Sequence, residues 1–201
     1  CYSGLVVAVA ADIDGDMDLD ITVDAYWENA VLWHENDGEM SFTPHIVTTE
    51  LFRPYATVLV VDLDGDADTD IVDASSEDDL IVWYENDGAQ SFSDVVISNV
   101  THGSRTMGVA DVDGDGDVDI IVGHYAEDEV MWWENDGVRL FAERLVSSNA
   151  DAPRSVVGVD MDSDGDVDVL LAEQLEDTVR WFENTCTVYP APTPRPTQRC
   201  D

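Results

Sequence analysis

Lysine is missing from this chain, and its eight basic residues, all arginine, stand against 45 acidic ones in a sequence of 201 residues. The resulting formal charge of −37 excludes nucleic acid and anionic membrane surfaces as partners, because binding either depends on Lys and Arg neutralising phosphates. Long apolar runs are also lacking: none approaches the roughly 18 residues of a membrane span. No segment carries a helical period, which leaves strands as the building unit. The row opens at Cys1 without a basic-then-apolar leader, so the chain reads as a mature product or an excised module. His34, His45, His102 and His124 share no phase, and neither a nucleophile elbow nor a zinc-type spacing occurs. The chain is therefore expected not to be an enzyme. A polysaccharide-active enzyme would need a chosen pair of carboxylates, and nothing singles one out.

Cysteine is confined to the ends, as Cys1, Cys186 and Cys200. That placement suits terminal staples better than a metal or redox site. A Cys1–Cys186 bond would tie the first repeat to the last and leave Cys200 for another chain or module, whereas three free thiols are the alternative. An extracellular or cell-surface, secreted location follows from the staple reading. The Asn99-Val100-Thr101 sequon is compatible with glycosylation there.

What is abundant is aspartate, and it is periodic. ADIDGDMDLDI, VDLDGDADTDI, ADVDGDGDVDI and VDMDSDGDVDV begin their aspartate series at Asp12, Asp62, Asp111 and Asp160, steps of 50, 49 and 49 residues. LWHENDG, VWYENDG, MWWENDG and RWFENTC place Trp33, Trp83, Trp132 and Trp181 on the same beat. Around each aspartate loop lie apolar runs, such as Met107–Ala110 before and Ile120–Gly123 after, that read as buried strands. Glu129–Glu134, the turn Asn135-Asp136-Gly137 and Phe141–Val146 complete a four-strand antiparallel meander.

Four-stranded units at this period are the signature of propeller blades. The expected fold is all-β: a β-propeller of four four-stranded antiparallel blades, closed as a ring or part of a larger one. The propeller domain spans 1–189, with repeats at about 5–52, 53–101, 102–150 and 151–189, and a Pro/Thr-rich tail or linker at 190–201. The phased tryptophans are expected in the inter-blade core. Outer strands start near Phe42, Phe92 and Phe141, but the matching residue of repeat four is Pro190, so that blade lacks an outer strand of its own.

Each loop alternates carboxylates at positions one, three, five, seven and nine. They are Asp12, Asp14, Asp16, Asp18 and Asp20; Asp62, Asp64, Asp66, Asp68 and Asp70; Asp111, Asp113, Asp115, Asp117 and Asp119; and Asp160, Asp162, Asp164, Asp166 and Asp168. Calcium takes six to eight oxygens, which a tight loop of this kind supplies, and up to four ions are expected. In the third copy Asp111, Asp113, Asp115 and Asp119 are the expected carboxylate ligands, and Asp117 contributes its carbonyl. An EF-hand is excluded because position twelve is Val23, Asp73, Val122 or Leu171 instead of Glu, and strands follow the loop. Gly116 and Gly165 occupy position six, where positive φ is expected, while Met17 and Ala67 stand there in the first two copies.

The D-x-D-G-D-G-x-x-D loop with its following apolar strand resembles the FG-GAP and VCBS repeats of calcium-binding β-propellers, including integrin-type heads, over residues 5 to 189. The resemblance implies calcium at the loop between the first two strands of each blade and a role in structure, adhesion or glycan binding. The leading functional expectation is a structural or adhesive module in a larger surface or filamentous assembly. Its partners would be Ca2+ and another protein, or a further copy joined through the termini. A lectin is the alternative, with Arg105 and Arg154, each six before a first loop Asp, facing a ligand or a neighbouring acid.

Overall fold

The computed structural model describes residues 5–25, 27–49, 57–75, 79–99, 103–175 and 177–185. The three cysteines, His102 and the 190–201 tail lie outside them, as do Val100 and Thr101 of the sequon. The first sheet comprises β1 (Leu5–Ala11), β2 (Asp20–Ala25), β3 (Ala30–Asn36) and β4 (Phe42–Thr48); the second, β5 (Val58–Val61), β6 (Asp70–Ser75), β7 (Leu80–Asn86) and β8 (Phe92–Ser98). The third holds β9 (Ser104–Ala110), β10 (Asp119–His124), β11 (Glu129–Asn135) and β12 (Phe141–Ser147), and the fourth β13 (Pro153–Val159), β14 (Asp168–Glu173) and β15 (Thr178–Phe182). Every pairing is antiparallel between sequence neighbours, and the described residues contain no helix.

The chain is thus all-β, with sheets of four, four, four and three strands. Among the described residues the last repeat contributes three strands instead of four, in line with the expected lack of an outer strand of its own. Its residue matching Phe141 is Pro190, which has no N–H to donate to a ladder, and it lies outside the described residues.

Side chains alternate across each strand, so one face of a sheet meets the sheet before it and the other the sheet after it. Trp83, Val72, Ala74 and Ile81 of the second sheet bury against Met107, Ile120, Val122 and Trp133 of the third. Ile121, Val130 and Trp132 of the third then bury against Val156, Val169 and Leu171 of the fourth. Trp33 is 1% exposed and stacks on His45 at 4.5 Å between ring centres. Trp181, at the same phase on the fourth sheet, remains 45% exposed, with Val157 and Val179 of its sheet also open. The tryptophans therefore mark the face that the following sheet covers, and the fourth sheet has no successor among the described residues.

This asymmetry fixes an expectation for unfolding in urea. Trp83→Ala, which empties a closed interface, costs about 3–5 kcal/mol, whereas Trp181→Ala costs about 1 kcal/mol or less.

Candidate metal centres

Each aspartate loop joins the first strand of a sheet to the second. Its leading carboxylate shapes it. Asp12 accepts the amides of Gly15 (2.8 Å) and Met17 (3.0 Å), Asp62 those of Gly65, Asp66 and Ala67, Asp111 those of Asp115 and Gly116, and Asp160 those of Ser163 and Gly165. To point its amide inward, position six adopts positive φ in all four copies: 78° at Met17 and Ala67, 100° at Gly116 and Gly165. A side chain in that conformation costs roughly 1–2 kcal/mol, so the first two loops carry strain at position six that the last two avoid, while the fourth carries it at position four, where Ser163 has φ 67° in place of glycine.

The folded loops bring carboxylates together. One oxygen from each of Asp12, Asp14 and Asp20 lies within 4.8 Å of the others, and the same holds for Asp62, Asp64 and Asp66, for Asp111, Asp113 and Asp115, and for Asp160, Asp162 and Asp168. Position five joins the group in the middle copies and position nine in the outer ones. Asp16 and Asp164, and equally Asp70 and Asp119, stay outside these groups.

Position nine has a second task. Asp20 Oδ2 accepts the amide of Ile13 and Oδ1 that of Asn36; Asp70 takes Leu63 and Asn86, Asp119 takes Val112 and Asn135, and Asp168 takes Met161 and Asn184, all between 2.7 and 3.0 Å. These four aspartates are fully buried. Position seven is turned elsewhere. The carboxylates of Asp18, Asp68 and Asp117 sit against Gly38, Gly88 and Gly137, where an added Cβ would come within 2.4 Å of an Oδ2. Glycine in the Asn-Asp-Gly turn is favoured by its φ of 67–75°, and any Cβ there would also have to displace the loop carboxylate. Asp117, expected to serve through its carbonyl, has its side chain engaged in this way.

Sequence reasoning read the asparagine of that turn only as turn chemistry. In the fold its side chain joins sheets: Asn86 Nδ2 donates to Ile13 O, Asn135 to Leu63 O and Asn184 to Val112 O, each an oxygen of the preceding repeat's loop, at 2.8–2.9 Å. The signal was present at Asn184, which keeps its phase where the Asp and Gly of the turn have become Thr185 and Cys186.

Burial, with repulsion from neighbouring aspartates, raises Asp14 and Asp64 from the ordinary aspartate value and pushes Asp113 up to about 6. Asp70 rises to about 6 and Asp119 to about 8, again from burial, although the two amides each accepts pull the other way. At Asp168 the amides of Asn184 and Met161 overcome the burial effect and its value falls. Asp64 Oδ1 is buried with no hydrogen-bond partner. Clustered, partly buried carboxylates that repel one another, one of them with an orphaned oxygen, are a donor set that a hard divalent cation fits.

Arg105 and Arg154, left between a ligand and a salt bridge by the sequence, lie over the Tyr125 ring at 4.7 and 4.8 Å, and Arg154 Nε also donates to Gln174. They fasten the third sheet to the fourth. No described helix is long and apolar enough to cross a membrane.

The family model described as FG-GAP-like repeat matches three overlapping stretches, 12–73, 62–122 and 111–171, each running from the first aspartate of one loop through the strand after the next. Among solved structures, an Agrocybe aegerita lectin, described as recognising non-reducing terminal N-acetylglucosamine, superposes with a TM-score of 0.62 at 19% identity over 85% of this chain and 48% of that one. A luciferin-regenerating enzyme superposes at 0.53 with 7% identity over 90% of this chain and 60% of the other. The chain thus spans between half and three-fifths of these structures, and the likeness is one of fold. No curated protein sequence matches it.

If position-six strain weakens the first two loops, Met17→Gly and Ala67→Gly each relieve about 1 kcal/mol. Divalent-cation affinity at the altered loop, read by calorimetry, then improves about fivefold, while Gly116→Ala weakens its own loop.

Proposed function

Since the chain belongs to the FG-GAP-like repeat family, we propose that it is an extracellular calcium-binding structural or adhesive module whose sheets are blades of a propeller and whose four loops each take one calcium ion. The observation that carries this reading is the recurrence of a three-carboxylate group at the same place in all four repeats. Calcium is favoured over magnesium because a cage of several carboxylates on a flexible loop suits the larger ion. Extracellular modules bind it at roughly 10−4 to 10−3 M, which tolerates strained loops such as the first two.

In this reading the first and third aspartates of each loop hold the ion, with Asp20 and Asp168 in the outer copies and Asp66 and Asp115 in the middle ones, and the ion supplies charge neutralisation and no chemistry. Four ions of charge two raise the formal −37 to −29. Position nine and the Asn-Asp-Gly asparagine transmit the ordering, the first into its own sheet and the second into the preceding repeat's loop. Catalysis has no part in the proposal. The open face of the fourth sheet, which has three strands among the described residues, supports membership of a larger ring or assembly, completed by further repeats, a protein partner or another copy.

A carbohydrate-binding role is the second reading. A cleft of about 460 Å3 between β4 of the first sheet and β7 and β8 of the second sets Tyr84, Phe92, Thr48 and Asp94 among aliphatic residues such as Ile46 and Val96, and its two aromatic rings and polar groups are what a sugar would use. A glycan array with no hits would remove it.

Isothermal titration of the decalcified chain is expected to count four calcium ions. Asp113→Asn leaves three, because one carboxylate of the third group is lost. A chain that binds no calcium at millimolar concentration contradicts the proposal.

A further inference from the structure

The seam between the first and second sheets is polar where the other two seams are apolar. Counted by the repeat, Thr22 and Asp24 on β2 correspond to Val72 and Ala74 on β6 and to Ile121 and Gly123 on β10. Asp73 on β6 corresponds to Val122 on β10 and Leu171 on β14. The second seam therefore sets Val72 and Ala74 against Val122, and the third sets Ile121 against Leu171. The first seam sets Thr22 and Asp24 against Asp73.

Register fixes this opposition. Val31 is the cross-strand partner of Asp24, Val58 and Val82 are the partners of Asp73, and these three valines pack in one cluster with Ile71 and Tyr84. Thr22, Asp24 and Asp73 are each 0% exposed. Thr22 Oγ1 and both oxygens of each carboxylate have no hydrogen-bond partner, the Ala74 amide near Asp73 falling short of one.

Among the described residues no base on the strands packed against the pair faces it: His34 of β3 pairs with Ile21, on the opposite side of the sheet from Asp24. β1 and β5 bring no titratable side chain, β7 brings the Tyr84 phenol, β3 brings Glu35, which is engaged by His45, and β2 itself brings Asp20, held by two amides at the loop end. An ionised carboxylate buried without a counter-charge is costly, and two that oppose each other cannot both ionise cheaply. Apolar residues fill the same place in the other seams, so the fold does not need acids there.

We propose that Asp24 and Asp73 form a proton-binding site in the first seam, which holds a proton between them at neutral pH and makes docking of the first two sheets favoured by mild acid. Burial, and then repulsion from Asp24, holds Asp73 well above the carboxylate range, and burial raises Asp24 to about 7. Both values lie above the roughly 3.9 of an unfolded aspartate, so the folded state binds more protons. The seam is uncharged in acid, and its stability falls as pH rises from about 3.9, where an unfolded aspartate ionises, to about 7, where Asp24 does. The loops respond in the opposite sense, since cations need ionised carboxylates.

The test uses the full chain at saturating calcium, with thermal midpoints measured from about pH 5.5 to about pH 8.5. Asp73→Val and Asp24→Ala install residues already found in the second seam. The gain of each variant over the parent should be smallest at the acid end and grow by several degrees toward about pH 8.5. Infrared spectra of the parent at neutral pH should carry protonated-carboxyl absorption that weakens in Asp73→Asn and weakens further in the Asp24→Asn/Asp73→Asn double variant. A midpoint gain equal at every pH, a loss at alkaline pH, or no such weakening overturns the proposal. So does a calcium count that drops by one in Asp73→Asn, which would make the pair a cation site.

Discussion

In every repeat one buried carboxylate bridges two parts of the chain: Asp20, Asp70, Asp119 and Asp168 each accept one amide from the residue after the loop's first aspartate and one from the asparagine that ends the third strand. Charge-assisted bonds of this kind contribute about 1.5–3 kcal/mol each and set the loop's position relative to its own sheet. The asparagine then donates from its side chain to the loop of the preceding repeat, so the same node aligns successive sheets. Apolar seams supply most of the stabilisation, but they are non-directional. The aspartate–asparagine node gives them register.

The node brings a liability with it. Its aspartate lies under further carboxylates of the same loop, and burial drives Asp113 and Asp119 up to about 6 and about 8. Without a cation the folded state must hold protons there or bear mutual repulsion. The loops thus couple charge neutralisation to the alignment of the sheets, which is how a chain with formal charge −37 can fold around its acidic side chains. Calcium, in the proposed role, acts as a structural part.

Much of this was legible in the sequence because it is local. Strand positions follow from apolar runs flanking turn residues, and β9 to β12 fall where Met107–Ala110, Ile120–Gly123, Glu129–Glu134 and Phe141–Val146 place them. Positive φ at Met17 and Ala67 was readable from Gly116 and Gly165 at the same position. What escaped is contact between distant segments. Nothing local tells that the Asp18 carboxylate lies against Gly38, or that Asn86 reaches a carbonyl 73 residues away. Division of labour among the aspartates escaped for the same reason, since alternation makes the five positions look equivalent and only the sheet distinguishes position nine. Opposition of Asp24 and Asp73 needed the stacking of sheets.

The central claim is that divalent cations at these loops hold the sheets together. Thermal unfolding in calcium-saturated and chelated buffers tests it most directly. The account predicts that chelation lowers the midpoint by about 10 °C or more, as expected when several bound ions are lost from the folded state. An unchanged midpoint would contradict it.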